Sequence, residues 1–113
     1  MIPTHESVDP YEQAKALPQK DLPGEIIDVT LTIVEACYLK KLTIPRTLKG
    51  EPYRHPEVPS VMGHWVAEHK DHYLRAVHYL IALTHEYNAG HDTPHGVTRS
   101  GALRVIVDNM ESL

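Results

Sequence analysis

The sequence has a single cysteine, no phenylalanine, no long apolar run and no excess of basic residues. Because Cys37 stands alone, an intrachain disulfide and a cysteine-based zinc site are both excluded. No stretch approaches the roughly 18 apolar residues that a membrane span needs, and the start MIPTHESVDP lacks the basic and apolar regions of a signal peptide. We therefore expect a cytoplasmic protein with no membrane association.

Charge and composition further limit the class of protein to which the chain can belong. The formal net charge is -4, and the Lys and Arg residues are scattered along the chain. This balance disfavours binding to a nucleic-acid backbone, which requires clustered positive charge. Hydrophobic residues make up 42% of the chain, which is typical of a globular protein. We predict one domain spanning residues 1–113, and pairing of two copies as a homodimer through leftover apolar surface stays open.

Two segments in which apolar residues recur with helical spacing dominate the sequence. The first is opened by Pro23, and it predicts a core-facing stripe of Ile26, Ile27, Leu31, Ile33, Val34, Cys37 and Tyr38. The second runs from about Ser60 to Asn88 and is expected to bend or split near Lys70 and Asp71. Its predicted stripe comprises Tyr73, Ala76, Val77, Leu80, Leu83, Thr84 and Tyr87.

Helix starts and breakers complete the predicted order of elements. Asp9 followed by Pro10 is typical of a helix start and predicts a short helix to about Leu17. The segment 43–59 is too rich in proline for regular structure, and a last helix is expected from about Thr98 to Met110. The sequence therefore predicts an all-α, single compact domain of about five helices with a long proline-rich loop.

Nine histidines raise the question of metal binding. His69 and His72 are three residues apart, and His91 and His95 are four apart, so either pair could share an ion. Neither pair matches a specific zinc signature such as HExxH. We favour solvated or hydrogen-bonded histidines and expect neither a bound metal nor a cofactor.

Acidic and aromatic side chains are the candidates for chemistry. Glu35 lies with Glu25 and Asp28 on the face of the first long helix opposite to its apolar stripe. This placement suits either a general acid or base in a cleft or a solvated face. Glu86 is the second candidate acid or base. Three aromatic rings in the same region could stack a nucleotide base: Trp65, Tyr73 and Tyr87. Packing of these rings in the core is the favoured alternative.

The only basic stretch of the sequence coincides with the proline-rich loop next to His55. A flexible basic loop with a histidine suits contact with phosphate, and it equally suits an ordinary solvated loop. The basic residues concerned are Lys40, Lys41, Arg46, Lys49 and Arg54.

Three segments, VDPYEQAKALPQKD, EIIDVTLTIVEACYL and YRHPEVPSVMGHWVAEHKDHYLRAVHYLIALTHEYNAGHDTPH, resemble a family of small phage-encoded helical proteins. Members show a DP segment followed by an alanine, an HP before a Trp-bearing helix and an EY before a His-containing turn. Some carry labels that link them loosely to pyrimidine-dimer DNA glycosylases. The positions that match the family pattern are Asp9, Pro10, Ala14, Asp21, Glu35, Ala36, His55, Pro56, Trp65, Tyr73, Glu86, Tyr87 and His95.

The chain also departs from that pattern. Leu22 and Pro23 replace the Lys-His expected after Asp21, and the Tyr-rich C-terminal segment of the family is missing. The resemblance implies an α-amine nucleophile exposed by removal of the initiator Met. Ile2 is too bulky for the usual removal, so we do not expect that nucleophile to be presented.

Two functional hypotheses follow. The first is a DNA- or nucleotide-directed enzyme in which Glu35 or Glu86 is the acid or base while His55 and His95 hold phosphate; it predicts one cleft for these groups. The second, which the acidic balance favours, is a binding protein that engages a nucleotide or a host protein. It predicts separated polar groups and an exposed apolar patch. The predicted substrate-binding residues are His55, Trp65, Tyr73, Tyr87 and His95.

Overall fold

The computed structural model describes all 113 residues and contains six α-helices, which confirms the all-α fold class. The helices are α1 (Pro10–Ala16), α2 (Leu22–Leu39), α3 (Val61–Glu68), α4 (Lys70–Ala89), α5 (Gly96–Arg99) and α6 (Ala102–Asp108). Short 3-10 turns cover Gln19–Asp21 and Asn109–Ser112. The only β-type pairing is an isolated antiparallel bridge between Arg46 and Pro52.

The N-terminal helix begins where the sequence predicted. The Asp9 side chain accepts a hydrogen bond from the N–H of Tyr11 at 2.9 Å, and Pro10 occupies the first turn. Asp9 thus satisfies one free N–H group of the helix start, and Pro10 has no N–H group that would need a partner. Leu17 is extended and ends α1.

The two long helices form the centre of the fold. α2 packs along α4, α1 lies on α4, and α3 lies on both α2 and α4. Together these helices enclose most of one core of 19 buried residues. On α2 the predicted stripe is wrong at Ile27 and Leu31, which are 52% and 46% exposed, while Val29 and Thr30 are buried. Periodicity marks the whole apolar side of a helix, but the neighbouring helices cover only part of that side.

Two breaks divide the C-terminal half. His69 is extended between α3 and α4, which confirms the predicted split near Lys70. The single last helix predicted from Thr98 to Met110 is instead two helices. Gly101 lies between them at φ 81°, a left-handed conformation that glycine adopts without strain and that interrupts an α-helix. This break explains why there are six helices rather than about five.

The proline-rich segment is an irregular loop, as predicted, and the core holds it at two points. The Asn109 side chain accepts from the N–H of Thr43 at 3.2 Å and donates to its carbonyl at 2.9 Å. Further along, the Tyr38 hydroxyl donates to the carbonyl of Tyr53. None of the helices combines the length and apolar character that crossing a bilayer requires.

Candidate functional site

A cavity of 520 Å³ lies between α2, the start of α3 and the first residues of the chain. We call it the acidic cavity, because no Lys or Arg side chain lines it and the α-amine of Met1 is its one cationic neighbour. Leu31 and Val61 form part of its apolar wall. Its other polar lining residues are Glu25, Asp28, Thr32, Glu35 and Ser60.

Glu35 joins α2 to the start of α3. Ser60 donates its backbone N–H at 3.0 Å and its hydroxyl at 2.6 Å to Glu35 Oε2, and the hydroxyl accepts from the N–H of Gly63 at 3.0 Å. A Cβ at position 63 would lie 2.8 Å from Glu35 Cβ, so glycine is required for this close approach. A carboxylate and a serine at a helix N-terminus both stabilise its free N–H groups. Glu35 therefore has a structural role, while its Oε1 makes no hydrogen bond.

Glu25 connects the other side of the acidic cavity to α4 and to the N-terminal segment. Its Oε2 accepts from the Tyr79 hydroxyl at 2.8 Å and contacts the α-amine of Met1. Burial, followed by the hydrogen bond to Glu25, raises the pKa of Tyr79. Gln13 donates to the carbonyl of Met1 at 2.6 Å. Arg75 fixes the same segment by donating to the carbonyls of Pro3, His5 and Val8.

A second cavity, of 470 Å³, lies between α1 and α4, and we call it the α1/α4 cavity. Glu86 is half-buried in its lining and makes no hydrogen bond or ion pair within the chain. Its other lining residues are Tyr11, Lys15, Ile81, Ala82 and His85.

Histidine rings cover two of the three aromatic residues expected to stack a base. Trp65 and His72 stack with centroids 4.0 Å apart, and Tyr87 and His91 stack at 3.8 Å; each pair lies within 7° of parallel. His72 Nδ1 donates to the carbonyl of Trp65, and His91 Nδ1 donates to that of Tyr87, both at 2.8 Å. Each imidazole thus occupies the position that a base would take on that ring face.

The histidines expected to hold phosphate lie elsewhere. His95 meets the edge of the Tyr87 ring at 5.0 Å, and its Nδ1 accepts from the N–H of Val97 at 3.0 Å, which caps α5. Burial and the nearby Arg99 lower the pKa of His95. His55 is exposed on the loop against Tyr38, with ring centroids 4.4 Å apart.

Tyr73 lies in the core and is 1% exposed, which agrees with the packing alternative for this ring. Its hydroxyl donates to the carbonyl of Ile106 at 2.9 Å and lies 3.8 Å from the sulfur of Cys37. Burial raises the pKa of both side chains. The Asn109 amide contacts the same sulfur at 3.5 Å, so this cluster joins α2 and α4 to the C-terminal turn.

The structure does not bring the four proposed enzymatic groups into one cleft. Glu35 lines the acidic cavity, Glu86 lines the α1/α4 cavity, and His55 and His95 line neither. No group of three or more His, Cys, Asp or Glu side chains is arranged to hold a metal ion. The arrangement matches the separated polar groups of the binding hypothesis, and the roles assigned to these residues stay predictions.

Sequence reasoning missed Ser60 and Gly63 on one side of the fold and Lys15 on the other. Ser60 did carry a signal, because a serine between a proline and an apolar run is typical of a helix N-cap. Lys15 carried none, since the residues of α1 and α4 that line its cavity are more than 60 residues apart in sequence.

Fold and site together define a small all-helical domain in which Glu35 and Glu86 line two separate cavities. No known protein family, curated protein or solved structure matches the chain. The resemblance to the phage-encoded family stays a prediction.

Proposed function

We propose that this chain is a protein-binding domain whose acidic cavity takes a basic side chain of a partner protein. One observation carries the proposal: carboxylates and exposed apolar side chains meet at a single cavity. Leu31 and Val61 in its wall are 46% and 85% exposed. Contiguous exposed apolar surface rimmed by polar groups is typical of interaction sites.

The charge of the cavity favours a cationic occupant. The Asp28 carboxylate and Glu35 Oε1 make no hydrogen bond or ion pair within the chain, so both are free to accept from a ligand. A guanidinium group is the side chain best suited to paired carboxylate oxygens. A nucleotide would instead bring phosphate charge against these carboxylates. The cavity therefore favours a protein partner over a nucleotide.

The apolar surface extends from the cavity along α2. Ile27, one turn before Leu31, is 52% exposed and lies on the same side of the helix. A partner segment that contacts both the cavity and this strip would carry a basic residue flanked by apolar residues.

The test is a titration of the isotope-labelled chain with two peptides, acetyl-Leu-Val-Arg-Leu-Val-amide and the same peptide with Glu in place of Arg. We expect amide shifts at Leu31, Thr32 and Val61 and roughly tenfold tighter binding of the Arg peptide, because a charge-assisted pair is lost in the other. Equal affinities, or shifts confined to other surfaces, would contradict the proposal.

Matched variants separate charge from general surface effects. Asp28→Lys should abolish binding of the Arg peptide, whereas Glu111→Lys, an equal charge change at an exposed C-terminal site, should preserve it. Leu31→Glu should weaken binding, and Leu48→Glu, at a loop residue that is 56% exposed, should not.

Sedimentation velocity tests whether this face instead pairs two copies of the chain. If the chain is dimeric and Leu31→Glu makes it monomeric, the face pairs two copies, and the assignment to a different protein is wrong.

The contact between Met1 and Glu25 favours a second candidate function, which is amine-dependent chemistry on an aldehyde such as an abasic site in DNA. The deprotonated amine would add to the aldehyde carbon, and loss of water would leave an imine, with Glu25 accepting and returning protons. Intact mass first shows whether Met1 carries a free amine. Borohydride trapping with an abasic oligonucleotide should then give a covalent adduct that Glu25→Gln suppresses; absence of the adduct eliminates this function.

A further inference from the structure

The α1/α4 cavity has features of a ligand site that the proposed protein-binding role does not use. Its volume of 470 Å³ lies within the range of small-molecule sites. Ile81 and Ala82 of α4 supply an apolar wall, and Ala82 is only 5% exposed. Such a site combines apolar walls with a few polar groups that fix the orientation of a ligand.

Tyr11 separates this cavity from a smaller neighbouring one and is fixed in place. Its hydroxyl shares a hydrogen bond with His78 Nδ1 at 2.8 Å, and the two rings are tilted with centroids 5.9 Å apart. Tyr11 lines both cavities. The ring therefore forms a preformed wall whose polar end is already occupied.

The charged groups of the cavity lack strong partners within the chain. Glu86 on α4 has no ion pair, and Lys15 on α1 has only Glu12, at 3.8 Å and with both side chains largely exposed. An exposed pair of this kind contributes little and exchanges readily with another anion. His85, the remaining titratable group, is exposed and makes no hydrogen bond.

We infer that the α1/α4 cavity binds a dipeptide-sized zwitterion, with the ligand carboxylate at Lys15 and its ammonium group at Glu86. A simple anion would meet the unpaired Glu86 carboxylate, and a simple cation would meet Lys15, so a ligand that carries both charges matches the lining best. Apolar side chains of the dipeptide would contact Ile81, Ala82 and the Tyr11 ring. The site is separate from the acidic cavity and does not depend on the function proposed for it.

The experiment uses the dipeptide Leu-Leu and its two blocked forms, acetyl-Leu-Leu and Leu-Leu-amide. Titration of the isotope-labelled chain at pH 7.5 should shift the amides of Ile81, Ala82 and Glu86 with Leu-Leu. Each blocked form should bind about tenfold more weakly, because each has lost one charge-assisted contact. Equal or tighter binding of either blocked form would overturn the zwitterion assignment, as would no shift with Leu-Leu up to about 10 mM, a concentration well above the range of useful affinities.

Variants connect each charge to its residue. Lys15→Met should remove the advantage of the free carboxylate, so that Leu-Leu and Leu-Leu-amide bind alike. Glu86→Gln should in the same way equalise Leu-Leu and acetyl-Leu-Leu. Lys20→Met, at an exposed lysine outside the cavity, should leave all three affinities unchanged. If Lys15→Met and Glu86→Gln leave the ratios unchanged while the circular dichroism spectra stay native, the assignment is wrong. Asp28→Lys should not affect dipeptide binding, which separates failure here from failure of the protein-binding proposal.

Discussion

The acidic cavity and the α1/α4 cavity are each lined by a glutamate from a long helix, Glu35 of α2 and Glu86 of α4. These two glutamates differ in what surrounds them. Glu35 accepts two hydrogen bonds from Ser60 at the start of α3, whereas Glu86 accepts none. A carboxylate oxygen with partners in the chain stabilises the fold, and one without them is free for a ligand. A polar face on a helix therefore acquires its role from the element packed against it.

The strongest way to break the first region is to add one carbon where α3 meets α2. In Gly63→Ala the new Cβ would lie 2.8 Å from Glu35 Cβ and closer still to the carboxylate, so α3 must move. We expect a loss of about 3 kcal/mol of unfolding free energy, measured by urea denaturation. Gly24→Ala is the matched control, because a Cβ there meets nothing within 4 Å and alanine favours a helix. Equal stability of the two variants would contradict the close packing.

Alanine substitution of each glutamate sharpens the comparison directly. Glu35→Ala should cost about 2 kcal/mol, because both Ser60 donors lose their acceptor at a helix start. Glu86→Ala should change the unfolding free energy by no more than about 0.5 kcal/mol. A double-mutant cycle of Glu35→Ala with Ser60→Ala should show that the two losses are not additive. Additive losses would mean that Glu35 stabilises the fold through some other contact.

How much of this could be predicted follows from how local each feature is. Asp9 with Pro10 predicts the start of α1 correctly because a cap depends on neighbours in sequence. The break at Gly101 was missed, since a glycine in an otherwise helical pattern does not by itself reveal a left-handed backbone.

The candidate site was less predictable than the fold, for a physical reason. Glu35 and Glu86 were both identified as candidate acids or bases, but the residues around them come from distant parts of the chain. The contact between Glu35 and Ser60 spans 25 residues, and the α1/α4 cavity is lined by both Lys15 and Glu86. Periodicity places a residue on a helix face, but only the fold decides which helix covers that face.

A change of pH tests His95, which caps α5 beyond the C-terminal end of α4. His95 Nδ1 accepts from the N–H of Val97, so protonation removes that acceptor, and burial together with Arg99 lowers the pKa of His95 below 6.5. Because its pKa is lower in the folded than in the unfolded chain, this contribution is fully present above pH 6.5 and is lost as the pH falls through the folded value. Urea denaturation between pH 7.5 and 5 should show the decline. His95→Asn, which keeps a capping acceptor, should flatten that part of the profile, whereas His95→Ala should cost about 1 kcal/mol at pH 7.5. An unchanged profile for His95→Asn would assign the pH dependence to another histidine.

The smallest expected effect compares two buried threonines, one with partners and one without. Thr84 Oγ1 donates to the carbonyls of Leu80 and Ile81 within α4, while the Thr30 hydroxyl, buried in α2, makes no hydrogen bond. Burying a hydroxyl without a partner is unfavourable, and valine has nearly the same shape and helix propensity. Thr30→Val should therefore raise the unfolding free energy by about 0.5 kcal/mol, and Thr84→Val should lower it slightly. Both are measured by urea denaturation. If Thr30→Val lowers the unfolding free energy, the hydroxyl of Thr30 makes a hydrogen bond in solution, and the expectation for this residue is wrong.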